Sequence, residues 1–199
     1  MLVLADRLDQ LILVGFFILL CIRLLPGGIS SERWYALMLV LSEGVVLFFV
    51  LIRRTTDRIT LNPLDWAISL GGSAAVLLVE NHGMPFWPRV GSVFILIGFA
   101  IHFGAKLSPR RSFGIVPADR GIKTNGAYSY VRHPMYFGYM VSHVGFLLAV
   151  PSAWNAVVYT IAWILLLARI ACEERMLSQN AEYVAYATHV RYRLVPGLY

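Results

Sequence analysis

The chain has 199 residues, of which 58% are hydrophobic and only 14% are charged. A soluble domain of this size does not need so many apolar residues, so the composition indicates an integral membrane protein. The formal net charge of +6 is more typical of the basic cytoplasmic loops of membrane proteins than of nucleic-acid binding. Cys21 and Cys172 form no CxxC pair, so we expect neither a disulfide framework nor a metal site.

Apolar segments divided by Pro and Gly turns predict an all-α, polytopic membrane helix bundle with about six transmembrane helices. The segments cover residues 8–25, 34–52, 66–79, 90–107, 135–150 and 154–171. Several are shorter than the roughly twenty residues that cross a bilayer upright, and a count of five stays open. Proline- and glycine-containing turns at residues 26–28, 62–63, 85–88 and 151 divide them. The sequence shows no second domain, so we expect one domain over residues 1–199.

The distribution of basic residues predicts the orientation of the bundle. With six spans, only Arg23, Arg33 and Arg89 of the 17 Lys and Arg residues lie on one side of the membrane. The positive-inside rule then places both termini, the loop of residues 106–132 and the C-terminal tail in the cytoplasm. Such a basic loop mainly sets orientation and contacts anionic lipid, although its residues 111–113, Arg-Ser-Phe, could form a lid over a site.

The last two spans and the tail are expected to bring the C-terminal polar residues together. Only Pro151-Ser152-Ala153 joins the fifth and sixth spans, which predicts a tight antiparallel hairpin whose cytoplasmic ends meet. Beyond residue 171, Tyr183, Tyr186 and Val190 follow at helical spacing. This pattern predicts an amphipathic helix on the cytoplasmic face of the membrane.

Residues 126–138 concentrate polar chemistry at the start of the fifth span. Pro134 suits the first turn of a helix, and the free N–H groups of that turn, beside Arg132 and His133, would attract a carboxylate or phosphate. Tyr136 follows Arg132 by four residues and is expected on the same helical face, with Tyr128 just upstream. Arg132 alone would be read as a cation that reaches the lipid headgroups, but the cluster favours a binding site.

Glu173 and Glu174 form a second polar group at the end of the sixth span. Adjacent helical residues point about 100° apart, so we expect at most one of them to face inward. The other is explained by a surface position. Arg169 precedes Glu173 by four residues and can form an ion pair with it. Alternatively, Arg169 could hold an anionic substrate group while a glutamate binds a ribose hydroxyl.

Three more polar residues lie inside predicted spans. His102 and His143 are expected to be helix–helix hydrogen-bond partners. Glu43 is a functional candidate because carboxylates within a membrane are costly, but it could also be protonated or paired with His102. No GxGxxG, P-loop, HExxH or GxSxG motif is present, and the absence of a βαβ pattern excludes a soluble Rossmann-type methyltransferase or dehydrogenase.

The order and spacing of these groups form one motif with several parts: Gly-x-Tyr-x3-Arg-His-Pro-x-Tyr-x-Gly at 126–138, a short hairpin, Glu173-Glu174, and Tyr183-x2-Tyr186 followed by Arg193-Leu-Val-Pro. This combination resembles the isoprenylcysteine carboxyl methyltransferase family. The resemblance covers residues 106–199, whereas the first three spans match only as hydrophobic segments. We therefore expect the N-terminal spans in 1–105 and the cofactor-binding and catalytic half in 106–199.

The resemblance implies an integral membrane enzyme that moves a methyl group from S-adenosylmethionine to a lipophilic acceptor, first of all the carboxylate of a prenylated cysteine. The residues it implies in cofactor binding are Tyr128, Arg132, His133, Pro134, Tyr136, Gly138 and Glu173. Arg169 and Glu174 match positions implied in catalysis or carboxylate placement.

The implied surroundings follow from this chemistry. The lipophilic substrate would enter sideways from the bilayer and the cofactor from the cytoplasm. Neither a metal nor nucleic acid is implied, and the oligomeric state stays open, a monomer included. We expect a prokaryotic inner or cell membrane as the location.

Other functions are weighed against this one. A phospholipid N-methyltransferase of the phosphatidylethanolamine type, or another membrane lipid or thiol methyltransferase, would keep the cofactor and change the acceptor. NADPH-dependent sterol-type reductases share an Arg-His motif, but Glu173-Glu174 stands where they typically show Arg-Asp with a later Cys and Lys. A scaffold or transport subunit would bind no cofactor and would leave the cluster at 126–138 unexplained.

Overall fold

The computed structural model describes residues 1–24, 34–53, 55–80, 86–107 and 114–199. Within these ranges the chain forms seven α-helices and no β-strand. The helices are α1 (Leu2–Leu24), α2 (Trp34–Leu51), α3 (Pro63–Ala75), α4 (Pro88–Leu107), α5 (Pro134–Ala149), α6 (Ala153–Leu177) and α7 (Ala181–His189). Short 3-10 turns at Val76–Leu78 and Gly126–Ser129 extend α3 and precede α5. The predicted all-α class is confirmed.

The six predicted apolar segments fall on α1 to α6, one on each helix. Two of the described helices, over Pro88–Lys106 and Ala153–Leu177, are long and apolar enough by themselves to cross a membrane. The count of six spans therefore stays a prediction. Helix α6 continues six residues beyond the predicted end at 171, because the two glutamates that follow are held by partners instead of ending the helix.

Helix starts follow from local sequence. Asn62 accepts a hydrogen bond from the Leu64 N–H at 3.0 Å and so caps α3, and Asn180 accepts one from the Glu182 N–H at 2.9 Å and caps α7. Asn is among the best residues at this position because its side chain satisfies an N–H group that the helix leaves unpaired. Pro134 occupies the first turn of α5, as predicted.

Helix α5 packs most closely against α4, and α6 against α3. Glycines permit the first contact: a Cβ on Gly138 would lie 2.7 Å from the His102 backbone nitrogen, and one on Gly145 would lie 2.6 Å from the Gly91 carbonyl oxygen. Helices α5 and α6 form the predicted antiparallel hairpin, with the His143 ring stacked on the Tyr159 ring at a centroid distance of 4.4 Å, although their backbones approach each other less closely than those of α4 and α5. The short connection 150–152 does bring their other ends to one site.

The segment before α5 pairs with the segment that connects α2 to α3. The N–H of Thr60 donates to the Pro117 carbonyl at 3.1 Å and the N–H of Asp119 to the Arg58 carbonyl at 2.8 Å. Residues 192–193 of the tail then pair with residues 132–133, through the Arg132 N–H to the Tyr192 carbonyl at 2.9 Å and the His133 N–H to the Arg193 carbonyl at 2.8 Å. The segment before α5 is therefore enclosed by α6 on one side and by the tail on the other.

Candidate active site

The first turn of α5 forms one wall of the site. His133 occupies the N-cap position without a side-chain cap, and Pro134 follows it. The N–H groups of Met135 and Tyr136 are among those for which a helix provides no internal acceptor. Arg132 precedes the helix, so the prediction that it shares a helical face with Tyr136 is wrong. Both side chains nevertheless reach α6, because the chain bends at residue 133.

Both glutamates of α6 face this site, which corrects the expectation that only one would. Glu173 accepts hydrogen bonds from the Tyr136 hydroxyl and from Arg169 Nε, the latter at 3.1 Å. The predicted ion pair between Arg169 and Glu173 is thus confirmed. Both glutamates are covered because partners lie on two sides of α6. Helix α5 lies on one side, and the segment 128–133, α7 and the tail lie on the other.

Glu174 connects four surrounding cationic or phenolic side chains. Its Oε1 lies 3.0 Å from Arg132 Nε, 3.2 Å from His133 Nε2 and 3.2 Å from the Tyr183 hydroxyl. Its Oε2 accepts a hydrogen bond from Arg193 Nε at 2.7 Å. Glu174 thus holds Arg132 and His133 in place from the side that faces away from the outer cavity.

A polar cavity, called here the outer cavity, opens beside these groups. Its charged and polar side chains come from the loop before α5 and from α5, α6 and α7, namely Arg120, Lys123, Tyr128, Arg132, His133, Tyr136, Glu173, Tyr183 and Tyr186. Burial raises the pKa of the Tyr186 hydroxyl to about 12 and raises the pKa of Tyr128 further. Both phenols are therefore neutral at physiological pH, and the Tyr186 hydroxyl donates to the Tyr128 carbonyl at 2.6 Å.

A second, apolar cavity lies deeper in the bundle and is called the inner cavity. Helices α1, α2, α3, α5 and α6 line it with side chains such as Leu13, Phe17, Val46, Leu77 and Leu166. Its polar lining includes Glu43, His143 and Arg169. The surface available there suits a lipophilic molecule, because apolar ligands are held by the removal of apolar area from water.

The two cavities share a wall formed by Gly114, Met135 and Tyr136. Arg169 lines the inner cavity and Glu173 the outer one, and their side chains are joined at this wall. Arg169 also donates from Nη2 to the Gly114 carbonyl at 2.9 Å, and its guanidinium carbon lies 5.1 Å from the centroid of the Tyr136 ring. An ionic and aromatic group thus separates a polar cavity from an apolar one.

The structure places the predicted site residues in three groups. Tyr128, Arg132, His133, Tyr136 and Glu173 line the outer cavity and Arg169 lines the inner one. Pro134 begins α5, and Glu174 supports the outer cavity through its four partners without lining it.

Gly138 lies outside both cavities and faces the backbone of α4. Its place in the motif is therefore explained by helix packing.

The remaining intramembrane candidates have structural partners. The indole N–H of Trp163 donates to His143 Nδ1 at 3.1 Å, so the predicted helix–helix role of His143 is confirmed. Lys106 Nζ lies 2.8 Å from His102 Nδ1. Glu43 lines the inner cavity and interacts electrostatically with Lys106.

Sequence reasoning missed several residues of the site. Gly114 carries no local signal, because its role depends on a loop that folds back against α6. The sequence pattern includes Tyr183, Tyr186 and Arg193 in the tail part of the motif but does not assign them to the site. The suggested lid at 111–113 and the turns at 26–28 and Pro85 lie outside the described residues.

The chain is similar to known proteins over the part that contains this site. Residues 112–179 match the sequence model of the isoprenylcysteine carboxyl methyltransferase (ICMT) family. The protein-S-isoprenylcysteine O-methyltransferase A of Arabidopsis thaliana is 30% identical over 124 residues, which are 58% of this chain and 63% of that protein. Probable protein-S-isoprenylcysteine O-methyltransferases of Oryza sativa subsp. indica and japonica are each 32% identical over 124 residues, 58% of this chain and 65% of theirs.

These matches cover less than two thirds of the length of each plant relative. The match to the family model includes the motif at 126–138 and extends through Glu173 and Glu174. The resemblance inferred from that motif is confirmed: over the matched residues the chain is similar to the isoprenylcysteine carboxyl methyltransferase family.

Proposed function

We propose that this protein is an integral membrane methyltransferase that moves a methyl group from S-adenosylmethionine to a lipophilic acceptor, with the carboxylate of a prenylated cysteine or a similar acid as the first choice. The observation that carries the proposal is the contact between a polar and an apolar cavity at one wall, bridged by the Arg169–Glu173 ion pair. A reaction between a water-soluble donor and a membrane-soluble acceptor needs such an arrangement.

The residues of the outer cavity fit the methyl donor. The N–H groups at the start of α5, with Arg132 and His133, suit its carboxylate. The rings of Tyr128 and Tyr186 suit a sulfonium cation, which aromatic faces attract. When bound, S-adenosylmethionine supplies an electrophilic methyl group. The protein's part is to hold the donor's charged ends and to keep Tyr136 and Glu173 beside the shared wall.

The inner cavity fits the acceptor. Its apolar lining would hold an isoprenoid or acyl chain, and Arg169 would hold the carboxylate next to the wall. Arginine suits this role because its guanidinium stays charged and carries five N–H donors, so that it can bind several partners at once. Two of its nitrogens already contact Glu173 and Gly114, which orients the remaining one.

The chemistry then requires little beyond alignment. A carboxylate oxygen of the acceptor would form a bond to the methyl carbon while the carbon–sulfur bond broke, and the electron pair of that bond would stay on the departing sulfur. The acceptor is already ionised at neutral pH, so no general base is needed. Positioning two reactants in line contributes much of the rate.

The same proposal sets the membrane arrangement. Helices α1 to α6 would each span the bilayer, with both termini, the outer cavity and α7 on the cytoplasmic side, as the distribution of basic residues suggests. The donor would then enter from the cytoplasm and the acceptor laterally from the lipid.

The first test is calorimetry on the detergent-purified protein with S-adenosylhomocysteine, and with NADPH in parallel. We expect S-adenosylhomocysteine, the demethylated product of the donor, to bind. Arg132→Ala and Glu174→Ala should each weaken this binding at least tenfold, since each removes a charged contact worth about 1.5–3 kcal/mol. Arg175→Ala is a matched control on the same helix, because Arg175 pairs with Asp65 away from the site.

A second step identifies the acceptor. Labelled methyl donor is offered with N-acetyl-S-farnesylcysteine, with phosphatidylethanolamine and with a lipophilic thiol. Label in a base-labile ester of the first compound supports carboxyl methylation, and label only in the amine or thiol changes the acceptor class. If the folded protein binds neither S-adenosylhomocysteine nor NADPH, both the methyltransferase and the reductase functions are excluded.

A further inference from the structure

A buried ion cluster lies beside the wall that separates the two cavities. It consists of Asp6 and Asp9 of α1, Arg53 just after α2, and Arg120 of the loop before α5. Arg53 Nη1 contacts Asp9 Oδ2 at 2.6 Å, and Arg120 Nη2 contacts Asp6 Oδ1 at 2.6 Å. None of the four side chains is more than 4% exposed. Two carboxylates and two guanidiniums thus compensate one another away from water.

Such a cluster is not explained by stability alone. Removing charges from water costs several kcal/mol per ion, and well-packed apolar side chains of similar volume are often as stable as a buried ion pair. The cluster is better explained by the backbone segment that it holds in place.

Asp9 holds the loop through its second oxygen. Oδ1 accepts hydrogen bonds from the N–H groups of Ile115 and Val116, both at 3.1 Å. Ile115 and Val116 are buried, at 3% and 1% exposure. One carboxylate therefore binds a guanidinium with one oxygen and two consecutive backbone amides with the other.

The peptide between Gly114 and Ile115 connects Asp9 to Arg169 in the candidate active site. The N–H of Ile115 and the carbonyl of Gly114 belong to the same planar trans peptide, so they point in opposite directions. The N–H donates to Asp9 and the carbonyl accepts from Arg169 Nη2 at 2.9 Å. Hydrogen bonds arranged in series in this way polarise and strengthen one another.

Gly114 is also enclosed from the side of the cluster. A Cβ at this position would lie 2.7 Å from Arg120 Nη1 and 2.8 Å from Arg53 Nη1. The guanidiniums therefore pack directly against the Gly114 backbone and limit its movement away from Arg169.

We propose that Asp9 is a positioning residue for Arg169, acting through the Gly114–Ile115 peptide. The inference rests on the proposed function of Arg169 as the group that holds the acceptor carboxylate. It gives the N-terminal helix a part in the reaction although α1 lies outside the segment 112–179 that matches the family.

The test compares three variants in the full-length protein. Asp9→Ala removes both the ion pair and the two amide contacts. Asp9→Asn keeps the shape and an oxygen for the amides but loses the charge opposite Arg53, and it serves if Asp9→Ala does not fold. Asp6→Asn is the matched control, because Asp6 contacts both guanidiniums without accepting from residues 115 and 116.

Hydrogen exchange is the first readout and does not depend on activity. We expect Asp9→Ala, or Asp9→Asn to a smaller extent, to speed exchange at the amides of Ile115 and Val116 at least tenfold, with Asp6→Asn changing it less than threefold. Unchanged exchange in both Asp9 variants overturns the proposal.

A double-mutant cycle with Arg169→Lys is the second readout, measured on kcat/KM for the acceptor and on the midpoint of thermal unfolding. If Asp9 acts through Arg169, the Asp9 substitution lowers kcat/KM at least tenfold in the wild-type background and less than threefold beside Arg169→Lys. Independent, multiplying effects would assign Asp9 a purely structural role and overturn the inference.

Failure of the proposed function has a different signature. A folded wild-type protein that transfers no methyl group would exclude that function, whereas exchange and the unfolding cycle would still show whether Asp9 and Arg169 are coupled. Additive unfolding effects would overturn the coupling even then.

Discussion

Single charged residues determine how this site is held together. Glu174 shows it best, because one carboxylate contacts Arg132, His133, Tyr183 and Arg193. Its neighbour Glu173 contacts Tyr136 and Arg169 instead. Adjacent positions on one helix thus serve two different sides of the site.

Replacing Glu174 by Gln should therefore reduce donor binding more than acceptor binding. The amide keeps the shape but loses the charge that holds Arg132 and Arg193, so we expect the affinity for S-adenosylhomocysteine to fall about tenfold, or about 1.4 kcal/mol. Calorimetry measures it, beside Arg175→Gln as a control on the same helix. Equal affinities in the two variants would contradict the supporting role of Glu174.

Arg169→Lys should have the opposite pattern. A lysine ammonium cannot bind Glu173, the Gly114 carbonyl and a substrate carboxylate with the planar geometry of a guanidinium. We expect kcat/KM for the acceptor to fall at least thirtyfold, about 2 kcal/mol, while the affinity for S-adenosylhomocysteine changes less than threefold. Steady-state kinetics with both substrates varied distinguishes the two effects, and a matching loss of donor affinity would place Arg169 in donor binding.

At the scale of helices, close backbone approach determines the geometry of the bundle. Gly138 and Gly145 lie seven residues apart on α5 and face α4 over Gly91, Gly98 and His102. Helices in lipid gain little from the hydrophobic effect and associate through such small residues. The first turn of α5 is thereby placed relative to α4, while α6 is placed by α3.

Gly138→Ala should consequently destabilise the protein without removing a ligand contact. The added methyl would lie 2.7 Å from the His102 backbone nitrogen, and overpacking of this kind costs about 1–3 kcal/mol. We expect a lower midpoint of thermal unfolding in detergent, with donor affinity unchanged in the folded protein. Gly104→Ala on α4 is the control, since nothing lies within 4 Å of its added methyl. Loss of donor binding at an unchanged midpoint would return Gly138 to the cofactor site.

At the scale of the whole molecule, two cavities of different polarity meet inside one apolar bundle. Exposed apolar side chains on α1, α4 and α6, such as Leu11, Ile97 and Ile164, are consistent with lipid around it. The inner cavity draws its lining from both halves of the chain, so the N-terminal helices belong to the candidate site as well as to the anchor.

Six spans place both termini on one side of the membrane, and five would separate them. In a background with Cys21→Ser and Cys172→Ser, we expect Leu4→Cys and Leu198→Cys, exposed at 73% and 81%, to react with a membrane-impermeant maleimide from the same side. Trp87→Cys, exposed at 54%, should react from the other side. Labelling of intact cells and of inverted vesicles measures this, and termini that react from opposite sides would require an odd number of spans.

The sequence by itself determined where the helices lie in the chain and which family the chain resembles. The apolar segments predicted α1 to α6. Pro134 marked the start of α5, and the spacing from Gly126 to Glu174 identified the ICMT resemblance. The ion pair between Arg169 and Glu173 was also predictable, because it depends only on helical periodicity.

Only the tertiary structure decided which helices pack together and what lies between them. The preference of α5 for α4 depends on glycines more than thirty positions apart in the sequence, and the contact of Gly114 with Arg169 depends on a loop folded across the bundle. The two glutamates both face inward because partners surround α6 on two sides. Contacts of this kind arise from distances in space between segments remote in the chain, and neither periodicity nor local motif contains that information.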